Sequence, residues 1–194
     1  MKPDFDKAQN AATELILRQD IKDLYIDVRD FALPPNVIIV SIQEFSRNTG
    51  FDITELERRC VDGACLVNER GFSFIFYDNR IQNEQRKHWG IAHELGHVFL
   101  MHTDDDKKSE IEAHFFAAQI VTPEIVLWDI CKRQGSLYDY ELLNCFNVSA
   151  EAASKRISTL KRRNRYNYAL QDRQLSAKFA PIVDRKFPIR ERVS

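Results

Sequence analysis

Residues 89–101 read Trp89-Gly90-Ile91-Ala92-His93-Glu94-Leu95-Gly96-His97-Val98-Phe99-Leu100-Met101, and the rest of the chain is read outward from them. Apart from His93, Glu94 and His97 every residue in the run is apolar or Gly, so a helix formed here is apolar nearly all round and belongs in a core. Three ionisable side chains in such a helix must be paired, hydrogen-bonded or metal-bound, because leaving them bare costs several kcal/mol. His93 and His97 are four positions apart, which places both imidazoles on one face, one turn from each other, where they can grip a single cation. Glu94 lies about 100° round the helix, within reach of a water on that cation without being a ligand itself.

On either side the pattern changes. Phe5, Ala8, Ala12, Leu15 and Ile16 follow helical spacing over residues 4–18. Pro34 and Pro35 break the chain before the β-branched run Val37, Ile38, Ile39, Val40 and Ile42, which predicts a buried strand. A second short strand fits Cys65 to Val67 and a third the aromatic stretch Phe72 to Tyr77, closed by the turn residues Asp78 and Asn79. An exposed edge on that third strand would receive an extended substrate by strand addition, whereas a buried core strand accounts better for most of its aromatic side chains. Helical patterns then cover Gln85 to Met101 and Glu110 to Val121, ending before Pro123, and continue beyond it, with Ser149 as N-cap of a helix through Arg156 to Leu160.

His-Glu-x-x-His is the arrangement of zinc peptidases, in which the glutamate is the general base. A catalytic zinc takes three protein ligands and keeps an open position for water. The downstream choices for the third are His102, Asp104, Asp105, Asp106, Glu110, Glu112 and His114. Spacing leaves Glu112 only modestly ahead of Glu110 and His114, since Ser109 and Glu112 also fit a capping box. Tyr77, His88, His102 and His114 are the donors near the motif for an oxyanion. The predicted fold class is α+β: a small sheet packed with a zincin-like helical core bearing the motif, followed by C-terminal helices. Residues 1–130 would form the zinc metallopeptidase domain and 131–194 a helical C-terminal region with a basic tail.

The segments RKHWGIAHELGHVFLMH (86–102) and EIEAHFFAAQIVTP (110–123) together resemble the ImmA/IrrE family of metallo-endopeptidases. That family pairs an A-H-E-L-G-H helix with a second helix of the form E-A-N-x-F-A that often ends near a proline. A weaker likeness runs through FNVSAEAASKRISTL (146–160), similar to the family's Val-Ser-x-x-Ala-x-x-x-Arg segment. The first eighty residues agree only in outline, and the tail after Arg165 has no counterpart. The resemblance implies His93 and His97 as zinc ligands, Glu94 as the base and Glu112 as third ligand. His114 departs from the family's usual Asn. The implied activity is zinc-dependent cleavage of a helix-turn-helix transcriptional repressor of a mobile element or stress regulon. The competing reading is a non-catalytic zinc-stabilised module that binds a regulator or DNA. Glu94 speaks against it, because a structural site needs no base and is closed by a fourth ligand.

Composition sets the outer bounds. With 194 residues, 44% hydrophobic and 29% charged, the chain reads as an ordinary globular protein of one domain or a domain with an appendage. No signal peptide or membrane span is visible, and four cysteines without a framework spacing read as structural thiols in a reducing cytoplasm. The net charge of −1 hides an asymmetry: residues 155–194 carry a balance of +9 and the rest −10. Such a tail would either engage a repressor or its DNA, or dock as a helix on the acidic body.

Overall fold

The computed structural model describes residues 2–60, 64–104, 106–163 and 169–189, the side chain of 163 apart. In chain order come α1 (Phe5–Leu17), a 3-10 turn (Val28–Asp30), β1 (Val37–Ser41), α2 (Ile42–Thr49), α3 (Thr54–Arg59), β2 (Ala64–Glu69), β3 (Phe72–Tyr77), α4 (Glu84–Leu100), α5 (Lys107–Val121), α6 (Glu124–Gln134), α7 (Asp139–Phe146), α8 (Ala150–Arg163) and α9 (Leu170–Lys186). This is the α+β plan that the sequence predicts, a small sheet followed by helices. The chain divides into two compact units, one of Met1–Ala8 with Asp27–Ala117, the other of Gln9–Ile26 with Ala118–Ser194.

The first unit is built on a sheet of order β1-β3-β2, with β1 parallel and β2 antiparallel to β3. Arg70 and Gly71 join β2 to β3 with φ of 50° and 83°, the positive pair that a two-residue hairpin needs to match strand twist. Because β3 is central and paired on both sides, it offers no free edge, which corrects the expectation of strand addition at Phe72–Tyr77. The free edges belong to β1 and β2, and of the residues of β3 Ile75 and Phe76 are the buried ones while Phe72 is exposed.

Beneath the sheet lies a core of Ile42, Leu56, Cys60, Cys65 and Phe76, with Phe45 edge-on to Phe76 at 4.9 Å. The Sγ atoms of Cys60 and Cys65, both free cysteines, lie 2.7 Å apart in this core. α2 and α3 lie in a stretch where the sequence predicts no helix. Ile42 looked like a continuation of the strand, whereas Ser41 Oγ accepts from Glu44 N at 3.2 Å and starts a helix that ends at Gly50, φ 73°.

α4 packs across β2 and β3. It starts where the Asn83 side chain accepts from Arg86 N at 2.9 Å, and its two buried polar residues in the first turns are satisfied. Lys87 pairs with Glu84 at 2.6 Å, and His88 Nε2 accepts from Val28 N at 3.3 Å. α5 then runs unusually close to α4, because Gly96 has no Cβ. One built there would meet Ala113 Cα at 3.0 Å and Ala113 O at 3.1 Å.

In the second unit Ser149 Oγ accepts from Ala152 N at 3.2 Å, so the predicted N-cap of α8 forms. One turn further on, Arg156 is buried and donates twice to Thr122 O, at 3.1 and 2.7 Å, closing the end of α5. This gives the Val-Ser-x-x-Ala-x-x-x-Arg likeness a structural meaning. α9 buries Leu175, Phe179, Ile182 and Val183. Two of its bases are engaged within the unit: Lys178 Nζ donates to Leu17 O at 3.1 Å, and Lys186 pairs with Asp23 at 2.8 Å. The described part of the basic segment is therefore packed as a helix, while Arg165 and residues 190–194 lie outside the described residues. Among the described residues no helix is long and apolar enough to cross a membrane.

Candidate metal centre

Two helices supply the site, each through a pair spaced i, i+4. On α4 these are His93 and His97; on α5 they are Glu110 and His114. α5 begins three residues earlier than predicted, where the Asp106 carboxylate accepts from Ser109 N at 2.7 Å. That cap stands in place of the Ser109–Glu112 capping box.

The imidazoles of His93 and His97 meet with their Nε2 atoms 3.1 Å apart. The Glu110 carboxylate completes the triangle, 3.4 Å from each of those nitrogens through its two oxygens. A tetrahedral ion bound at about 2.0–2.1 Å sets its ligand atoms about 3.3 Å from one another. The separation of the two nitrogens is near that of ligands sharing one first-row cation, one carboxylate oxygen faces each of them, and two imidazoles with one carboxylate are a zinc-type donor set. His114 stands beside them, its ring centroid 4.4 Å from that of His93. One ligand atom from each of His93, Glu110 and His114 falls within 4.8 Å of the others. The histidines are nearly covered, at 14% and 8% side-chain exposure, while Glu110 at 44% leaves the group open to solvent on one side.

Burial, followed by the neighbouring His114, His97 and His102, pushes the His93 imidazole down to about 3. His93 is therefore neutral, the form that ligates metal. Its Nδ1 is buried without a hydrogen-bond partner, so the ring's polar capacity is only partly met by protein.

Glu112, the third ligand implied by the resemblance, is not with this group. Its carboxylate is 2% exposed and turned the other way, accepting from Asp4 N at 2.6 Å and His102 Nε2 at 3.1 Å, with Lys108 Nζ at 3.4 Å. The reason is helical geometry, since two residues advance about 200°. A face that presents Glu110 and His114 turns Glu112 away. Burial raises the Glu112 carboxyl, but the hydrogen bonds with Asp4 N and His102 and the Lys108 ammonium outweigh it and hold the group below the usual carboxylate range. The i, i+4 spacing of Glu110 and His114, matching that of His93 and His97, was the sequence signal for the alternative. Of the other acids considered, Asp105 lies outside the described residues.

Glu94 follows His93 on α4 and is half-buried. It is close enough to bear on Cys60, whose thiol is pushed far up by its hydrogen bond with Cys65 and by burial, with Glu94 adding to the rise. A thiol so held stays protonated and is no metal ligand. The oxyanion donors also sort themselves. His88 is committed as an acceptor to Val28 N and His102 to Glu112, whereas His114 is exposed beside the metal group.

With that geometry in view, comparison with known proteins gives one match. The peptidase M78 model, described as an IrrE N-terminal-like domain, matches residues 50–158. The chain belongs to the peptidase M78 family. The matched span runs from the turn before α3 into α8, and so takes in both helices of the metal centre and buried Arg156. No curated protein and no solved structure gives a significant match. Membership in a peptidase family agrees with a candidate His–Glu–His cluster on α4 and α5.

Proposed function

We propose that this M78 chain is a zinc-dependent endopeptidase whose ion is held by His93, His97 and Glu110, with Glu94 as general base. The observation that carries the reading is the convergence of two imidazole Nε2 atoms and one carboxylate at 3.1 and 3.4 Å, on a face left open to solvent. Zinc, when held there, supplies Lewis-acid polarisation of the scissile carbonyl and acidifies the attacking water. Glu94, one residue from His93, takes the water's proton and returns it to the departing amine nitrogen as the C–N bond breaks. His114, on the exposed side, is placed to donate to the oxygen that gains charge. A carboxylate base beside an open site is needless in a purely structural metal module, and this favours hydrolysis over the binding-only alternative.

For the substrate we infer a DNA-bound helix-turn-helix repressor of a mobile element or stress regulon, in the cytoplasm, with derepression as the outcome. Support comes from the association of ImmA/IrrE-type peptidases with such repressors. Exposed bases such as Lys161, Arg162 and Arg173 are the part of the basic segment left to meet that substrate or its DNA. The test is co-expression with a small helix-turn-helix protein encoded next to this gene, followed by mass spectrometry. Fragments that vanish with Glu94→Gln are expected. An intact repressor beside zinc-loaded wild-type protein would reject the substrate assignment.

A further inference from the structure

α4 ends in a turn with an unusual cargo. Met101 takes the left-handed conformation, φ 57°, and the chain folds back so that His102 N donates to His97 O at 3.0 Å and Met101 N to Val98 O at 3.1 Å. This is the Schellman arrangement, which is usually completed by an apolar contact between the two residues that its longer bond joins. Here that contact is between two imidazoles. His102 Nδ1 lies 3.2 Å from His97 Nδ1, and the rings meet edge to face with centroids 5.1 Å apart. On its far side His102 Nε2 meets Glu112 Oε2 at 3.1 Å, and the Glu112 carboxylate is anchored by the N–H of Asp4 at 2.6 Å.

We propose that Glu112 and His102 are positioning residues that hold His97 in its Nδ1–H tautomer, leaving the Nε2 lone pair aimed at Glu110 and His93. The direction of the chain follows from what each group can do. A carboxylate that takes a backbone N–H and faces an ammonium only accepts, so His102 Nε2 must carry the hydrogen between them. In its Nε2–H tautomer His102 presents a lone pair at Nδ1, and His97 donates to it from its own Nδ1. With that hydrogen committed, Nε2 of His97 is the nitrogen left bare, and it is the one 3.1 Å from His93 and 3.4 Å from Glu110. Metal-bound histidines generally have their second ring nitrogen fixed in this way by an outer acceptor. The acceptor here is a second histidine with a buried carboxylate behind it. The proposal rests on the metal reading above only for its consequence; the tautomer itself belongs to the protein.

The test uses the full-length chain labelled with 15N at histidine. Long-range 1H–15N correlation on the metal-free protein is expected to show His97 protonated at Nδ1 and His102 at Nε2. Glu112→Gln should disturb that state specifically. A glutamine has one side-chain oxygen, which the shorter contact to Asp4 N claims; its amide then faces His102, drives His102 to the Nδ1–H form and pushes the hydrogen of His97 to Nε2. His102→Phe should leave His97 without an acceptor, and His102→Asn, whose amide oxygen can still accept, should partly restore the wild-type tautomer. Zinc affinity, measured by competition with a chelator, should fall about 10–100-fold in Glu112→Gln and His102→Phe and recover in part in His102→Asn. Thermal melts identify any variant that fails to fold, and the wild-type spectrum alone decides the matter for such a variant. An Nε2–H His97 in the metal-free wild type overturns the proposal, as does an unchanged tautomer in folded Glu112→Gln and His102→Phe. If the tautomers are as described but zinc binds neither wild type nor variants, the relay stands and the metal reading falls.

Discussion

Glu94 and Glu110 carry the two halves of the proposed chemistry, and amide substitutions separate them. Glu94→Gln keeps the shape and removes the base, so zinc content should equal the wild type's while repressor cleavage falls by about 10² or more; cleavage at the wild-type rate would show that Glu94 is not the catalyst. Glu110→Gln removes a ligand, so elemental analysis should find the metal lost, and full occupancy in that variant would take Glu110 out of the site. A third residue speaks to acid stability. The Arg80 guanidinium, outweighing partial burial, together with Arg80 N and Gln43, holds the Asp78 carboxyl down to about 2 and ties the end of β3 to α2. Since the folded value is depressed, its contribution is complete above the unfolded value of about 3.9 and fades as pH falls toward about 2. Asp78→Asn should therefore lower the urea midpoint at pH 6, and the gap to wild type should shrink markedly at pH 2.5. A gap that is constant across that range would show that the carboxylate's charge is not what stabilises the turn.

At the scale of elements, the site depends on how closely α5 can approach α4. The contact at Gly96 is with backbone, Ala113 Cα at 3.0 Å and O at 3.1 Å, so no side-chain adjustment makes room for a methyl group. Gly96→Ala should cost about 1–3 kcal/mol, as overpacking does, and should weaken zinc binding by moving Glu110 away from the His93–His97 pair. Ala113→Gly should not rescue it, because the obstructing atoms remain. Full rescue, read by thermal melting and chelator competition, would place the strain in the Ala113 methyl group instead. Start signals for these helices were unequally legible. Ser149 stands alone before a clear helical run and is legible as a cap, whereas three acids at 104–106 hide Asp106, the cap that sets where α5 begins.

For the whole molecule, the question is what the basic C-terminal segment does. α9 buries Leu175, Phe179, Ile182 and Val183 in the second unit. At about 1.5–3 kcal/mol for each such side chain, their loss rivals the whole stability of a domain, about 5–15 kcal/mol. Deleting residues 169–194 should therefore abolish helical circular dichroism well beyond the removed helix. A truncated chain that melts cooperatively at the wild-type temperature would show instead that the segment is dispensable for folding and free for a partner. The sequence by itself determined the α+β order, the central helix and the pairing of His93 with His97, because apolar periodicity and i, i+4 spacing are local properties that one turn of helix expresses in full. It also placed the chain in its family, since both metal-centre helices carry their pattern in consecutive residues. Tertiary structure alone decided that β3 is central, that Glu110 rather than Glu112 meets the histidines, and that His102 returns to His97. Each of these depends on the rotation of one element relative to another, and that is set by a Gly–Ala contact, a cap and a left-handed turn whose joint effect no single stretch of sequence contains.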